Sequence, residues 1–181
     1  GVDSTDIERL NLESLKRKSL LDLTAERNTI KQTQIDFDEK EVPEGVELID
    51  PELDQHKHYQ QYLDKRGIVL EYPFLVDKKR GPRDRIVVPY TYKNRIVGHT
   101  SRYLDNRTPK FINSQQPGYV FGYDLQKPNW TSAIVVEGIF DALSISGLAC
   151  MHETISKDQA QLLKQLQRRI IVVPDQDRAG L

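Results

Sequence analysis

The sequence predicts an α/β protein (α+β overall), with a small, mixed, β-rich first part and a parallel sheet flanked by helices in the second. Strand-forming residues cluster on both sides of a short turn between residues 85 and 102. From residue 133 onward, short apolar strands alternate with helical segments, which is typical of a parallel sheet with crossover helices. Hydrophobic residues make up 38% of the 181 positions and charged residues 29%, a balance that excludes wholly disordered and collagen-like classes.

The N-terminal third contains two different patterns. Residues 5–32 lack Gly and Pro and place Leu or Ile at a loose three-to-four spacing, which predicts a helix. Residues 36–54 combine nine acidic side chains with Pro and Gly, which favours an extended linker. We therefore expect a helix and acidic linker over 1–55, a basic subdomain over 56–130 and the parallel-sheet subdomain over 131–181.

The basic subdomain should begin with a short helix over 56–65 that ends at Gly67. Residues 85–92 and 95–102 have strand character and flank residues 93–94, which predicts a hairpin with a two-residue turn.

The C-terminal part predicts strands over 133–136, 149–152 and 170–173. Helices are expected between them, over 138–146 and 156–167, and the second helix begins with a capping-box pattern. The order strand, helix, strand, helix, strand predicts a parallel sheet.

Charge is unevenly distributed along the chain. Residues 1–64 contain 8 Lys or Arg and 16 Asp or Glu, whereas residues 65–110 contain 12 and 4. Aromatic residues are interleaved with the cations of the second segment. This combination suits a nucleic-acid surface, in which cations neutralise phosphates and rings stack on bases. The outer face of a solvated sheet explains the same charges, and both interpretations stay open here.

Other classes of protein are excluded or not expected. One Cys and four scattered His cannot form an internal disulfide or a Cys-rich zinc site, so no zinc is expected in this chain. The longest apolar runs are far shorter than the roughly 20 residues that cross a bilayer, so no membrane association is expected. The first residues lack the features of a secretory signal, and we expect a cytoplasmic protein.

Acidic residues follow two of the predicted parallel strands. Glu137 comes directly after the first strand, and Asp175 and Asp177 come just after the third. The carboxyl ends of parallel strands share one edge of the sheet, where ligands bind. Oxygen ligands without His or Cys favour Mg²⁺ or Mn²⁺. The alternative is that these are ordinary turn and helix-cap residues.

Several segments carry a family resemblance. The runs VVEGIFDALS (135–144) and VPDQDRAG (173–180) resemble the two signature motifs of the Toprim domain in its primase form. Earlier segments resemble, in order, the N-terminal half of the DnaG-type primase core: 62–68, 85–89, 102–105 and 109–114. The resemblance covers roughly residues 56–181. Family members continue beyond the second motif, so we expect a truncated Toprim-type sheet, incomplete at its C-terminus, and the activity of the fragment itself stays open.

The resemblance implies a DNA primase, a DNA-directed RNA polymerase that makes short RNA primers on single-stranded DNA during replication. It implies ribonucleoside triphosphates as substrates, Mg²⁺ or Mn²⁺ as cofactor and a replicative helicase, fused or bound, as partner. The alternatives are another Toprim enzyme, such as a nuclease or topoisomerase subunit, and a non-catalytic Toprim DNA-binding module.

The resemblance also assigns roles at the sheet edge. Asp175 and Asp177 would ligate metal, and Glu137 would ligate metal or accept the attacking proton. Asp141, four residues after Glu137, is either a further ligand or a favourable acid at a helix N-terminus.

Cationic and amide side chains are the candidates for binding nucleotide and template, because they bind phosphates, base edges and sugar hydroxyls. These candidates are Arg66, Arg102, Lys110, Asn113 and Arg178. We expect Lys110 and Asn113 to open onto the same cleft as the acidic residues. A second group forms a basic loop that is either a DNA track or simply solvated: Lys78, Lys79, Arg80, Arg83 and Arg85.

Overall fold

The computed structural model describes residues 35–68, 72–77 and 85–175. The chain divides into two compact units, residues 1–36 and 37–181, and every described helix and strand belongs to the second. Some predictions concern positions outside the described residues: the helix over 5–32 and the side chains of Lys78, Lys79, Arg80, Arg83, Asp177 and Arg178.

The first layer is a five-stranded antiparallel sheet in the order β1-β2-β3-β4-β5. Its strands are β1 (Val46–Leu48), β2 (Leu75–Asp77), β3 (Arg85–Tyr92), β4 (Arg95–Tyr103) and β5 (Phe111–Ser114). The two strands predicted on either side of residues 93–94 are confirmed as β3 and β4. The α-helix α1 (Lys57–Asp64) lies between β1 and β2, and Gly67 follows it with a φ of +66°, which agrees with the predicted end of this helix.

The predicted hairpin turn is confirmed. Lys93 and Asn94 both have positive φ, 51° and 60°, as a two-residue turn of this type requires. The carboxylate of Asp124 accepts hydrogen bonds from the backbone N–H groups of both residues at 3.0 Å. A side chain from the segment that leads to the second sheet therefore stabilises the turn.

The acidic segment is more ordered than the predicted linker. Phe37 is buried and packs edge-on against the rings of Tyr92 and Tyr119. The N–H of Lys40 donates to the carbonyl of Ile96 at 2.8 Å. Most acidic side chains here are exposed to solvent, so a few apolar residues and main-chain hydrogen bonds are enough to attach the segment to the sheet.

The second layer is a parallel sheet, as predicted, and the order of its strands is β7-β6-β8. It contains β6 (Ser132–Val136), β7 (Leu148–Ala149) and β8 (Arg169–Val172), with α2 (Ile139–Ser144) and α3 (Lys157–Lys164) between them. The capping box that begins α3 is present, between Ser156 and Gln159. β7 is shorter than predicted, and α3 ends earlier.

A buried segment joins the two sheets into one core. Phe121 exchanges backbone hydrogen bonds with Ala149 at 3.0 and 3.1 Å, and its ring packs against Tyr72 and Tyr90. The ring of Tyr119 stacks on Tyr90 with 5.2 Å between centroids. These contacts attach the antiparallel sheet to β7, which pairs with β6 in the parallel sheet. Within the described ranges, no helix has the length and apolar character needed to span a membrane.

Candidate functional site

Both sheets line a cleft of about 440 Å³. Its walls carry opposite charges. Three cationic side chains, which we call the basic wall, are those of Arg66, Arg102 and Lys110. Three carboxylates, which we call the acidic edge, belong to Glu137, Asp141 and Asp175. Asn113 also lines this cleft. The structure thus brings together at one cleft every described candidate residue except Arg85.

The alternation of side chains along the paired strands β4 and β5 explains one side of the cleft. Thr100 pairs with Asn113 and Arg102 pairs with Phe111 across β4 and β5. Residues two apart on a strand face the same side, so all four side chains point to the cleft. The Thr100 hydroxyl donates a hydrogen bond to Oδ1 of Asn113.

Two guanidinium groups of the basic wall share the same pair of aromatic rings. The Cζ atom of Arg66 lies 5.1 Å from the ring centroid of Tyr62 and 5.6 Å from that of Phe140. The corresponding distances for Arg102 are 5.5 and 5.2 Å, and its Cζ also lies 4.8 Å from the centroid of Phe111. The faces of the rings contact both guanidinium groups, which leaves the guanidinium edges available for hydrogen bonding.

Arg102 is in an electrostatically costly position. Its side chain is only 9% exposed, and burial lowers its pKa; the neighbouring Arg66 acts in the same direction, whereas Tyr62 and Asp141 oppose it. Its buried Nε makes no hydrogen bond within the part of the chain that the structure describes. A buried guanidinium beside a second cation favours an anionic ligand.

The acidic edge follows from the parallel topology. Glu137 immediately follows β6, and Asp175 follows β8, whose ladder continues through a 2.8 Å hydrogen bond from Val173 N to Val135 O. Asp141 lies in the first turn of α2, where Oδ1 is 3.8 Å from Nη1 of Arg66. A side chain at Gly138 would place a Cβ 2.4 Å from Oδ2 of Asp141, so glycine gives this carboxylate its space.

The described residues do not by themselves form a metal centre. Among them, no group of three or more His, Cys, Asp or Glu side chains is arranged to hold a metal ion. Asp177, which the resemblance assigns to the metal, lies outside the described ranges. The chemistry of the donors at the acidic edge, all carboxylate oxygens, still suits Mg²⁺ or Mn²⁺.

Arg85 differs from its prediction as part of an exposed basic loop. It begins β3 and its side chain is only 7% exposed. Its guanidinium donates hydrogen bonds to the carbonyls of Ser101, Pro109 and Lys110. Because it is buried and engaged with main-chain carbonyls, Arg85 does not form part of a surface track for DNA.

The sequence did not predict several residues in and around the site, and four of them contact a predicted site residue. Thr100 and Phe111 line the cleft because they alternate with predicted residues on paired strands, and the strand register would have identified them. Tyr62 and Phe140 lie in two of the segments that carry the family resemblance, 62–68 and 135–144, and their rings also support the two arginines. No local sequence signal marks that second role.

Part of the chain is similar in sequence to bacterial DNA primases. No protein-family model matches the chain. The DNA primase of Escherichia coli is 30% identical over 114 residues, which cover 54% of this chain and 20% of that protein. The DNA primase of Clostridium acetobutylicum is 28% identical over 113 residues, covering 54% of this chain and 19% of the relative. The chain therefore spans about a fifth of the length of these curated relatives.

Solved structures agree on the fold. A structure of the DnaG catalytic core superimposes with a TM-score of 0.55 and 22% identity over 72% of this chain and 58% of that chain. The DnaG primase catalytic domain bound to single-stranded DNA gives a TM-score of 0.51 and 22% identity over 72% and 57% of the two chains.

The fold and cleft define a mixed α/β protein in which an antiparallel sheet with basic side chains faces the carboxylate-bearing end of a parallel sheet. This is the fold of the DnaG catalytic core. The resemblance to DnaG-type DNA primases that the sequence predicts is confirmed.

Proposed function

We propose that this chain is part of the RNA-polymerase core of a DNA primase, a nucleotidyltransferase that makes short RNA primers on single-stranded DNA. The observation that carries the proposal is that the basic wall and the acidic edge line one cleft. Residues 56–130 supply the cations of the basic subdomain, and residues 131–181 supply the carboxylates of a Toprim-type sheet. The protein would act in the cytoplasm, with a replicative helicase as partner.

The reaction requires both walls. A primer 3′-hydroxyl attacks the α-phosphorus of a ribonucleoside triphosphate, a new P–O bond forms, and pyrophosphate leaves with the electrons of the broken bond. Negative charge accumulates on the phosphates, and prepositioned cations stabilise it most effectively. Arg66, Arg102 and Lys110, which line the cleft, would bind these phosphate oxygens.

The carboxylates have complementary tasks. Glu137, Asp141, Asp175 and Asp177 are the residues that would hold Mg²⁺ or Mn²⁺. When bound, the divalent ion would neutralise phosphate charge and lower the pKa of the attacking hydroxyl. Glu137 would either share in holding the ion or accept the proton that the hydroxyl loses.

Template binding follows from the same surface. Single-stranded DNA is bound in a solved DnaG structure of the same fold. In this chain, we assign template and nucleotide contacts to Arg66, Arg102, Asn113 and Arg178, and a basic DNA track to the loop with Lys78, Lys79, Arg80 and Arg83. The exposed ring of Phe111 offers a flat surface beside the arginines.

The test compares Lys110→Ala and Asp175→Asn with the matched control Lys164→Ala at the exposed end of α3. The protein is incubated with single-stranded DNA, ribonucleoside triphosphates and MgCl₂, and new oligoribonucleotides are counted. Loss of one prepositioned charge should reduce synthesis by roughly 10²- to 10³-fold in both site variants, with the control unaffected. Metal-dependent DNA cleavage without oligoribonucleotides would favour a Toprim nuclease or topoisomerase subunit, and DNA binding without either product would favour a non-catalytic module.

A further inference from the structure

The buried guanidinium of Arg85 contacts the segment that connects β4 with β5, residues 104–110, which we call the 104–110 connection. Nη2 donates to the carbonyl of Pro109 at 2.5 Å, and Nη1 donates to the carbonyls of Ser101 and Lys110 at 3.0 and 3.3 Å. The Cζ atom lies 3.4 Å from the ring centroid of Tyr103, the residue paired with Arg85 across β3 and β4. One side chain thus connects a central strand with a surface connection.

Two of these carbonyls belong to the peptide units on either side of Lys110. The carbonyl of Pro109 precedes the nitrogen of Lys110, and the carbonyl of Lys110 follows its Cα atom. The second carbonyl also accepts a hydrogen bond from the N–H of Tyr103 at 3.1 Å. Because the direction of a Cα–Cβ bond depends on the two flanking peptide planes, these bonds fix the direction in which the Lys110 side chain leaves the backbone.

Arginine is suited to this task for two reasons. Its planar fork can donate to several carbonyls at once, and its flat face can stack on the Tyr103 ring at the same time. A lysine ammonium keeps the charge but has neither the fork nor the stacking face.

We propose that Arg85 is a positioning residue that directs the Lys110 side chain into the cleft, and that it acts on bound anions only through Lys110. That Lys110 binds an anion rests on the function proposed above. That Arg85 fixes the 104–110 connection does not depend on that function.

The first experiment needs no ligand. Hydrogen exchange is compared in the wild-type chain and in Arg85→Lys, with Arg95→Lys at the opposite end of β4 as a matched control. Amides of residues 104–111 should exchange roughly tenfold faster in Arg85→Lys, because the local opening energy falls, whereas amides of β6 should not change. If Arg85→Lys is poorly folded, Tyr103→Leu is used instead. It removes the ring on which Arg85 stacks and should speed the exchange of the same amides. Unchanged exchange in this region in both variants would overturn the proposal.

The second experiment is a double-mutant cycle with inorganic tripolyphosphate as the probe, read by titration calorimetry. Lys110→Ala should weaken binding by roughly tenfold and Arg85→Lys by roughly three- to tenfold, as expected for charge-assisted contacts. The double variant should bind no more weakly than Lys110→Ala alone, because Arg85 acts through the missing side chain.

Effects that multiply in the double variant would show that Arg85 acts independently of Lys110, which overturns the proposal. The failure of the wild-type chain to bind tripolyphosphate would instead count against the proposed function. Exchange over residues 104–111 would then decide the role of Arg85.

Discussion

The hydroxyl of Thr100 donates a hydrogen bond to Oδ1 of Asn113 across the paired strands β4 and β5. Thr100 is completely buried, whereas Asn113 is exposed at the cleft. Because Oδ1 is engaged as an acceptor, the amide N–H groups are what Asn113 offers to a ligand. The residue is therefore suited to bind phosphate, sugar or base oxygens rather than donor groups.

Thr100→Val should separate this orientation from packing, because valine keeps the shape and removes the hydroxyl. We expect the KM for ribonucleoside triphosphates in primer synthesis to rise roughly fivefold, the equivalent of about 1 kcal/mol for one hydrogen bond. Thr100→Ser keeps the donor and should remain close to wild type. Equal losses in both variants would mean that packing, not the hydrogen bond, matters.

Arg102→Met should lower activity without lowering stability. Methionine removes a buried cation that Arg66 repels and leaves a side chain that can pack between Phe111 and Phe140. We expect the free energy of unfolding to stay the same or to rise by about 1 kcal/mol, while primer synthesis falls roughly 10²- to 10³-fold. Urea denaturation and the primer assay measure the two effects. A clear loss of stability would show that the guanidinium has a net structural role instead.

Gly138→Ala should impair the acidic edge without unfolding the chain. The backbone at Gly138 is extended, with φ −88° and ψ 139°, so alanine fits the conformation, but its Cβ would meet Oδ2 of Asp141 at 2.4 Å. The carboxylate must move, and primer synthesis should fall by roughly tenfold, as is typical when a catalytic group is misplaced.

Gly45→Ala is the matched control for this substitution. Its φ is +78° with nothing near the added Cβ, so it should lose about 1 kcal/mol of stability and keep its activity. Normal activity in Gly138→Ala would show that the position of the Asp141 carboxylate does not matter for the reaction.

His99 should make stability depend on pH. Burial lowers its pKa, and its Nδ1 is buried without a hydrogen-bond partner among the described residues. The unfolded chain, with a His pKa of about 6.5, then binds the proton more tightly than the folded chain. Stability should be greatest above that pH and should fall as the pH drops from about 6.5 towards the lower folded value. His99→Gln should flatten this decline in urea titrations, and His152→Gln, at an exposed position, should not.

Strand and helix order was predictable because the second sheet depends on local patterns. The apolar runs before Glu137 and Asp175 and the capping box at Ser156 each determine their element within a few residues. The acidic segment was not predictable in the same way. Its attachment depends on the contact of Phe37 with Tyr92 and on the hydrogen bond from Lys40 N to Ile96 O, and both partners lie more than fifty residues away in sequence.

The site shows the same limit. Glu137 and Asp175 could be placed at one edge from strand parallelism alone, and the structure brings both to the cleft. Arg85 could not be placed, because a run of cations does not reveal which one points inward. Whether an arginine faces water or three carbonyls depends on the path of a distant connection, which only the folded chain determines.

The short segment around Tyr119 and Phe121 also has a thermodynamic consequence. Since it packs against both sheets, which belong to one compact unit, residues 37–175 should melt in a single cooperative transition. An anion bound by the cations of one sheet and a divalent ion bound by the carboxylates of the other would then stabilise the same transition. Each ligand alone should raise the melting temperature of the whole unit.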